Sequence, residues 1–266
     1  MEVDIRRGID DTINSKVQIF HEKTRNGIVL FDKNKFPGIL NSGYDPLLLN
    51  VLNCSFLAKG RLNEFFTIIE PFVEFNLAKG MFEIEESKVS ELRKVLSAAN
   101  LSGVDLLEIM PADAETGHLE FLHKTRANTA SLMAKDNGRI LNLQNFGSET
   151  AKKFDVTFSN SLLHDCASIE DEKHSNVYRA MEIYAILSNL TKKDGYSAHC
   201  HGAYISSLHE TFFQFLGFKV IDYFRVEDGA YNFGIILKKV NNSEITGEEF
   251  NYLYAEMKKR NPIRYR

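Results

Sequence analysis

The sequence predicts an α/β protein: a mostly parallel sheet that ends in an antiparallel hairpin, preceded by a mainly helical N-terminal unit. Three observations predict it. From Val104 onward, short apolar runs alternate with polar or helical stretches, as a parallel sheet with crossover helices requires. Near the end, Asp228-Gly229 sits between two β-rich runs, which is the signature of a tight hairpin. Before Gly103, apolar residues recur instead at helical spacing.

Taken in order, Ile5, Ile9, Ile13, Val17 and Phe20 place an amphipathic helix in the first twenty residues. A short extended piece at 28–31 leads into a stretch rich in Lys, Asn, Pro and Gly that reads as loop up to Tyr44. Asp45-Pro46 then offers a capping carboxylate followed by a proline at the first helical position. Helices are expected over 47–57, 62–75 and 85–100, parted by Gly60 and Gly80. Val89, Leu92, Val95 and Leu96 form the buried stripe of the last one, and Gly103 stops it. Strands are expected over 104–109, 129–133, 140–143, 154–159, 195–200, 219–225 and 231–239. The stretch from Glu115 to Ile140 is short for a full helix plus a second strand-helix unit, so an abbreviated fold is expected there. The change of texture divides the chain into residues 1–102, a cover or dimerisation unit, and 103–266, the α/β domain.

The composition narrows the function classes. With 266 residues, 44% hydrophobic and 26% charged, the chain has ordinary globular usage, which excludes a disordered or fibrous protein. A formal charge of −4 with both signs interspersed provides no field to draw in nucleic acid or anionic lipid. The basic stretch 258–266 reads as a solvated end. The charged N-terminus lacks the apolar core of a signal peptide and no apolar run is long enough to span a bilayer, so a cytoplasmic protein is expected. Cys54, Cys166 and Cys200 are far apart and odd in number, which suits reduced thiols. Phe is abundant at 20, and Phe65, Phe66, Phe72 and Phe75 are expected to build core or a dimer contact.

Four segments carry a family resemblance. Leu107-Glu108-Ile109-Met110-Pro111-Ala112-Asp113-Ala114-Glu115 is an acidic strand running into a loop of small residues. Phe154 to Asp165 reads as a later strand with a Leu-His-Asp ending, Leu187 to Tyr196 as a helix end and turn into the next strand, and Phe212 to Val220 as a helix, glycine and closing strand. In this order and spacing the chain resembles the class I S-adenosylmethionine-dependent methyltransferases, whose Rossmann-like sheet is parallel with an antiparallel final strand. The resemblance covers roughly residues 100 to 240. It departs from the family at Met110, Ala112 and Ala114, which stand where the first motif has alternating glycines. If position 110 needs a positive φ, methionine there costs on the order of 1 kcal/mol or more.

The resemblance implies S-adenosylmethionine as cofactor and assigns roles residue by residue. Glu108, at the carboxyl end of the first sheet strand, would accept a charge-assisted hydrogen bond from the cofactor's ammonium. Met110 and Asp113 would lie along the same loop. Asp136 would clamp a ribose hydroxyl, Asn145 an adenine edge, and Ser159 and Asn160 would line the floor of the crevice. Each has an ordinary alternative, as a cap, a turn former or a rim ion pair.

For proton transfer the candidates are His201, His199 and His164, which fall at or after expected strand ends, since imidazole titrates near neutrality. His209 reads as structural. His199 and His201 share a strand face, but two ligands without a carboxylate partner make no metal site. The expected activity is methyl transfer to a hydroxyl or amine of a small molecule, with no nucleic-acid or membrane partner, and the helical unit suits a homodimer. The alternative from another class is a non-catalytic binding or assembly subunit that has lost the cofactor.

Overall fold

The computed structural model describes residues 46–76, 81–84, 86–111, 117–134, 152–160, 176–201, 210–225 and 233–260. The expected first helix, the extended piece at 28–31 and the strand at 140–143 lie outside these residues. Helices α1 (Pro46–Ala58) and α2 (Leu62–Ile69) lead to strands β1 (Val73–Asn76) and β2 (Met81–Ile84), helix α3 (Glu86–Ser97), strand β3 (Asp105–Pro111), helix α4 (Gly117–Lys124) and strand β4 (Asn128–Ala134). Then come β5 (Phe154–Asn160), α5 (Asn176–Leu190), β6 (Thr191–His201), α6 (Glu210–Phe215), β7 (Phe218–Arg225), β8 (Phe233–Lys239) and α7 (Gly247–Arg260).

The expected helix over 62–75 is corrected. It stops at Ile69, Pro71 lies in a single tight turn, and Val73–Asn76 pairs antiparallel with Met81–Ile84. Proline withholds an N–H and bars helix continuation, and the residues beyond it alternate as a strand does. The N-terminal unit therefore carries a small hairpin among its helices. The abbreviated stretch after β3 holds an eight-residue helix and β4, and both fit.

The main sheet has the order β4-β3-β5-β6-β8-β7. The first four strands are parallel, and β8 and β7 close it antiparallel, as expected. Both faces are covered, as a parallel sheet demands. On one face, Leu106, Met110, Val156, Phe158, Tyr196, Ala198 and Cys200 share a core with α1, α2 and α3. On the other, Leu107, Ile109, Ile235 and Leu237 pack against α5, α6 and α7. Helix α1 is buried on every side from Leu47 to Phe56. Its carboxyl end meets the amino end of β3, because Arg61 donates to Asn100 O just upstream of that strand. The helix start therefore points towards the carboxyl ends of the parallel strands.

The amino ends of β3, β5 and β6 are fastened by charge. Lys192 Nζ lies 2.9 Å from Asp105 Oδ2 and 3.0 Å from Asp155 Oδ1, while Lys152 reaches Asp105 at 2.7 Å. Partial burial pushes the Asp105 carboxyl up, but hydrogen bonds from Lys152, Lys192 and Asn128 outweigh it and hold the group at about 2. Gly195 is required beside this cluster, since a Cβ there would meet Asp155 O at 2.7 Å and Lys192 O at 2.9 Å.

Lys239 ties the far side together. Its buried ammonium donates to Ser188 Oγ on α5, to Leu216 O at 2.8 Å and to Ser243 O at 2.9 Å. Burial pushes it down to about 8, with Lys153 adding to the effect and Glu244 opposing it. Between about pH 8 and 10.5 the unfolded chain holds a proton that the folded chain has released, so stability rises with pH through that window. Urea midpoints across that range are expected to rise more steeply for the native chain than for Lys239→Met.

Among the described residues neither amide atom of Asn53, buried in α1, has a hydrogen-bond partner. Replacing Asn53 by the similarly shaped leucine is expected to raise stability by about 1–3 kcal/mol. Urea denaturation measures it, and a fall would mean that the amide is paired in solution.

Candidate functional site

The chain order places a switch point in the sheet. From β3 it moves outward to β4, then returns to the other side of β3 to lay down β5. Helices α4 and α5, which follow β3 and β5, pack on opposite faces of the sheet, and the crevice at the carboxyl ends of two such strands is the usual ligand position. Glu108 of β3 pairs with Phe158 of β5 across this seam.

Among the described residues, Glu108 brings a carboxyl group to this point. It lies on the strand face shared with Leu106 and Met110, and its side chain is 4% exposed. Oε1 stands 3.2 Å from Nδ1 of His118, whose ring sits edge-on to Phe158 with centroids 6.5 Å apart. Oε2 has no hydrogen-bond partner among the described residues. A buried carboxylate oxygen left bare is costly, so the arrangement calls for a donor, best a cationic one. His118 did not figure in the sequence reading. It is the second residue of α4, and helical side chains lean back towards the helix start, which carries this ring over the end of β3. Gly117 directly before it was the available signal.

Met110 is a strand residue. It pairs with Met133 in the β3–β4 ladder, its side chain is buried in the core on the α1 side, and it is not among the residues of positive φ. The strain anticipated for methionine at a glycine position is therefore not incurred, because the strand continues to Pro111 before the loop begins.

Ser159 and His199 are neighbours on β5 and β6, both fully buried on the α5 side. His199 Nδ1 is 2.8 Å from Ser159 Oγ, Nε2 is 2.6 Å from Ser197 Oγ, and Tyr184 of α5 stands edge-on at 5.3 Å. The structure thus joins Ser159 to His199, while Glu108 faces the opposite side of the sheet. Asn160 ends β5 and His201 ends β6, which places their backbones at the crevice. Asp113, Asp136, Asn145 and His164 lie outside the described residues. No group of three His, Cys, Asp or Glu among the described residues forms a metal site. None of the described helices is long and apolar enough to cross a membrane.

No protein-family model matches the chain, and no curated protein matches it. Among solved structures, it is similar to the antibiotic-resistance methyltransferase Kmr, at 11% identity over 56% of this chain and 93% of that one, with a TM-score of 0.33. The N-methyltransferase NodS from Bradyrhizobium japonicum WM9 is 12% identical over 59% and 96% of the two chains, with a TM-score of 0.32. The 1,6-didemethyltoxoflavin-N1-methyltransferase of Burkholderia thailandensis is 15% identical over 50% and 71%, with a TM-score of 0.33. Overlaps this loose carry no weight of their own. The fold rests on the observed strand order, which is the parallel sheet with an antiparallel end that the sequence implied.

Because Met110 is core, Met110→Gly is expected to lower stability by about 3 kcal/mol or more, from the lost side chain and the added backbone freedom. The urea midpoint reads this directly.

Proposed function

We propose that the chain binds S-adenosylmethionine at the β3–β5 switch point and transfers its methyl group to a hydroxyl or amine of a small molecule. The observation that carries the reading is the bare Oε2 of the buried Glu108 at that point. An ammonium such as that of the cofactor's methionine part fits it, as a cationic donor to a desolvated carboxylate. The cofactor supplies an electrophilic methyl group on a sulfonium. The chain's own part is to hold and orient: Glu108 takes the cationic end, His118 fixes the carboxylate's other oxygen, and the ends of β5 and β6 carry Asn160 and His201 to the side where the acceptor would sit. His201 and His164 are the proposed proton acceptors, and the displacement depends chiefly on alignment. Asp113, Asp136 and Asn145 are proposed for the remaining cofactor contacts.

The reading of a non-catalytic subunit rested on Met110, Ala112 and Ala114. Met110 no longer supports it, since a strand residue buried in the core needs no glycine.

Isothermal titration with S-adenosylhomocysteine tests the proposal. Binding is expected in the native chain, and Glu108→Gln, which keeps the shape and removes the charge, is expected to weaken it about tenfold or more. An absence of heat at high protein concentration, with the protein folded, would overturn it.

A further inference from the structure

From Val156 on β5 and Tyr196 on β6, the apolar side chains turn to the α1 face and the buried polar ones, Thr157, Ser159, Ser197 and His199, to the α5 face, although both faces are covered. The polar set forms one line. Thr191 Oγ1 donates to Leu187 O at 2.6 Å and lies 3.0 Å from Thr157 Oγ1, which lies 2.7 Å from Ser197 Oγ. Ser197 Oγ is 2.6 Å from His199 Nε2, and His199 Nδ1 is 2.8 Å from Ser159 Oγ. All five side chains are at most 1% exposed.

The carbonyl at one end gives the line a direction. A hydroxyl has one proton to donate. Thr191 gives its proton to Leu187 O, so it accepts from Thr157. Thr157 in turn accepts from Ser197, and Ser197 accepts from the imidazole. The line therefore places a proton on Nε2 of His199, and in the neutral ring Nδ1 accepts the hydroxyl proton of Ser159. Both ring nitrogens are committed inside the core, with no outlet along the line for a proton taken from a substrate.

We infer that His199 is a positioning residue: through Nδ1 it orients the Ser159 hydroxyl and sets the carboxyl end of β5, and with it Asn160, at the edge of the crevice. The inference rests on the proposed cofactor site. It replaces the role of general base that the sequence suggested for His199, and it leaves proton transfer to groups beyond the strand ends.

Two substitutions separate the ends of the imidazole. The amide of His199→Asn falls near the Nδ1 position and keeps Ser159. The amide of His199→Gln reaches the Nε2 position, keeping Ser197 and releasing Ser159. Titration of each with S-adenosylhomocysteine, alongside thermal denaturation, is expected to leave the Asn variant within about threefold of native affinity and to weaken the Gln variant about tenfold, at similar stability. Equal affinity in both variants, with the native chain binding, would overturn the inference alone. A native chain that binds nothing would overturn the cofactor site and this inference with it. Nitrogen-15 NMR of the native imidazoles checks the same point without a variant: the neutral Nε2–H form is expected for His199 at neutral pH, and the Nδ1–H form would refute the assignment.

Discussion

A parallel sheet has to bury both faces, and most of this molecule follows from how β5 and β6 satisfy that demand. Their period-two pattern sends Val156, Phe158, Tyr196, Ala198 and Cys200 into the core beneath α1. The complementary positions are Thr157, Ser159, Ser197 and His199, polar side chains pressed under the apolar helix α5. In a medium of low dielectric these groups are tolerable only when each is paired, and the line from Leu187 O to Ser159 achieves it. The register of β5 against β6 is thereby specified twice, by the backbone ladder and by a set of side chains that would all lose partners on a slip.

The two halves of the crevice rest on different physics. On the α1 side the carboxylate of Glu108 sits almost dry, with one oxygen engaged by His118. On the α5 side a line of hydroxyls and one imidazole runs from Ser159 to the Leu187 carbonyl. Among the described residues the carboxylate of the site thus comes from β3, while the neighbouring strands supply hydroxyl and imidazole side chains. The amino ends of the same strands carry the opposite design, a partly buried cluster of Asp105, Asp155, Lys152 and Lys192 that holds the sheet from below.

The sheet was legible in the sequence because its signals are local. Apolar runs such as Val104 to Ile109 and the hairpin signal at Asp228-Gly229 depend on period and turn chemistry alone. The hairpin of β1 and β2 was not, since Phe65 to Phe75 has the apolar density of a helix and only Pro71 marks the break. Glu108 was found through its motif. His118 was missed because its role arises when α4 folds back over β3. For His199, position near a strand end suggested exposure to a ligand, whereas face and not position decided its surroundings, and the face is set by pairing partners about 40 residues away. The question raised by Met110 was resolved the same way, by where the strand stopped.

Helix α1 is enclosed on all sides, and this bears on how the chain reaches its native state during synthesis. The helix belongs to the same core as β5 and β6, strands that lie roughly a hundred residues or more further along the chain. At a synthesis rate of ~5–20 residues per second, its apolar surface waits for about five seconds to half a minute before those strands can cover it. An apolar thirteen-residue segment exposed for that long is a natural ligand for a holdase chaperone. Its enclosure cannot be complete before β5 and β6 have been made.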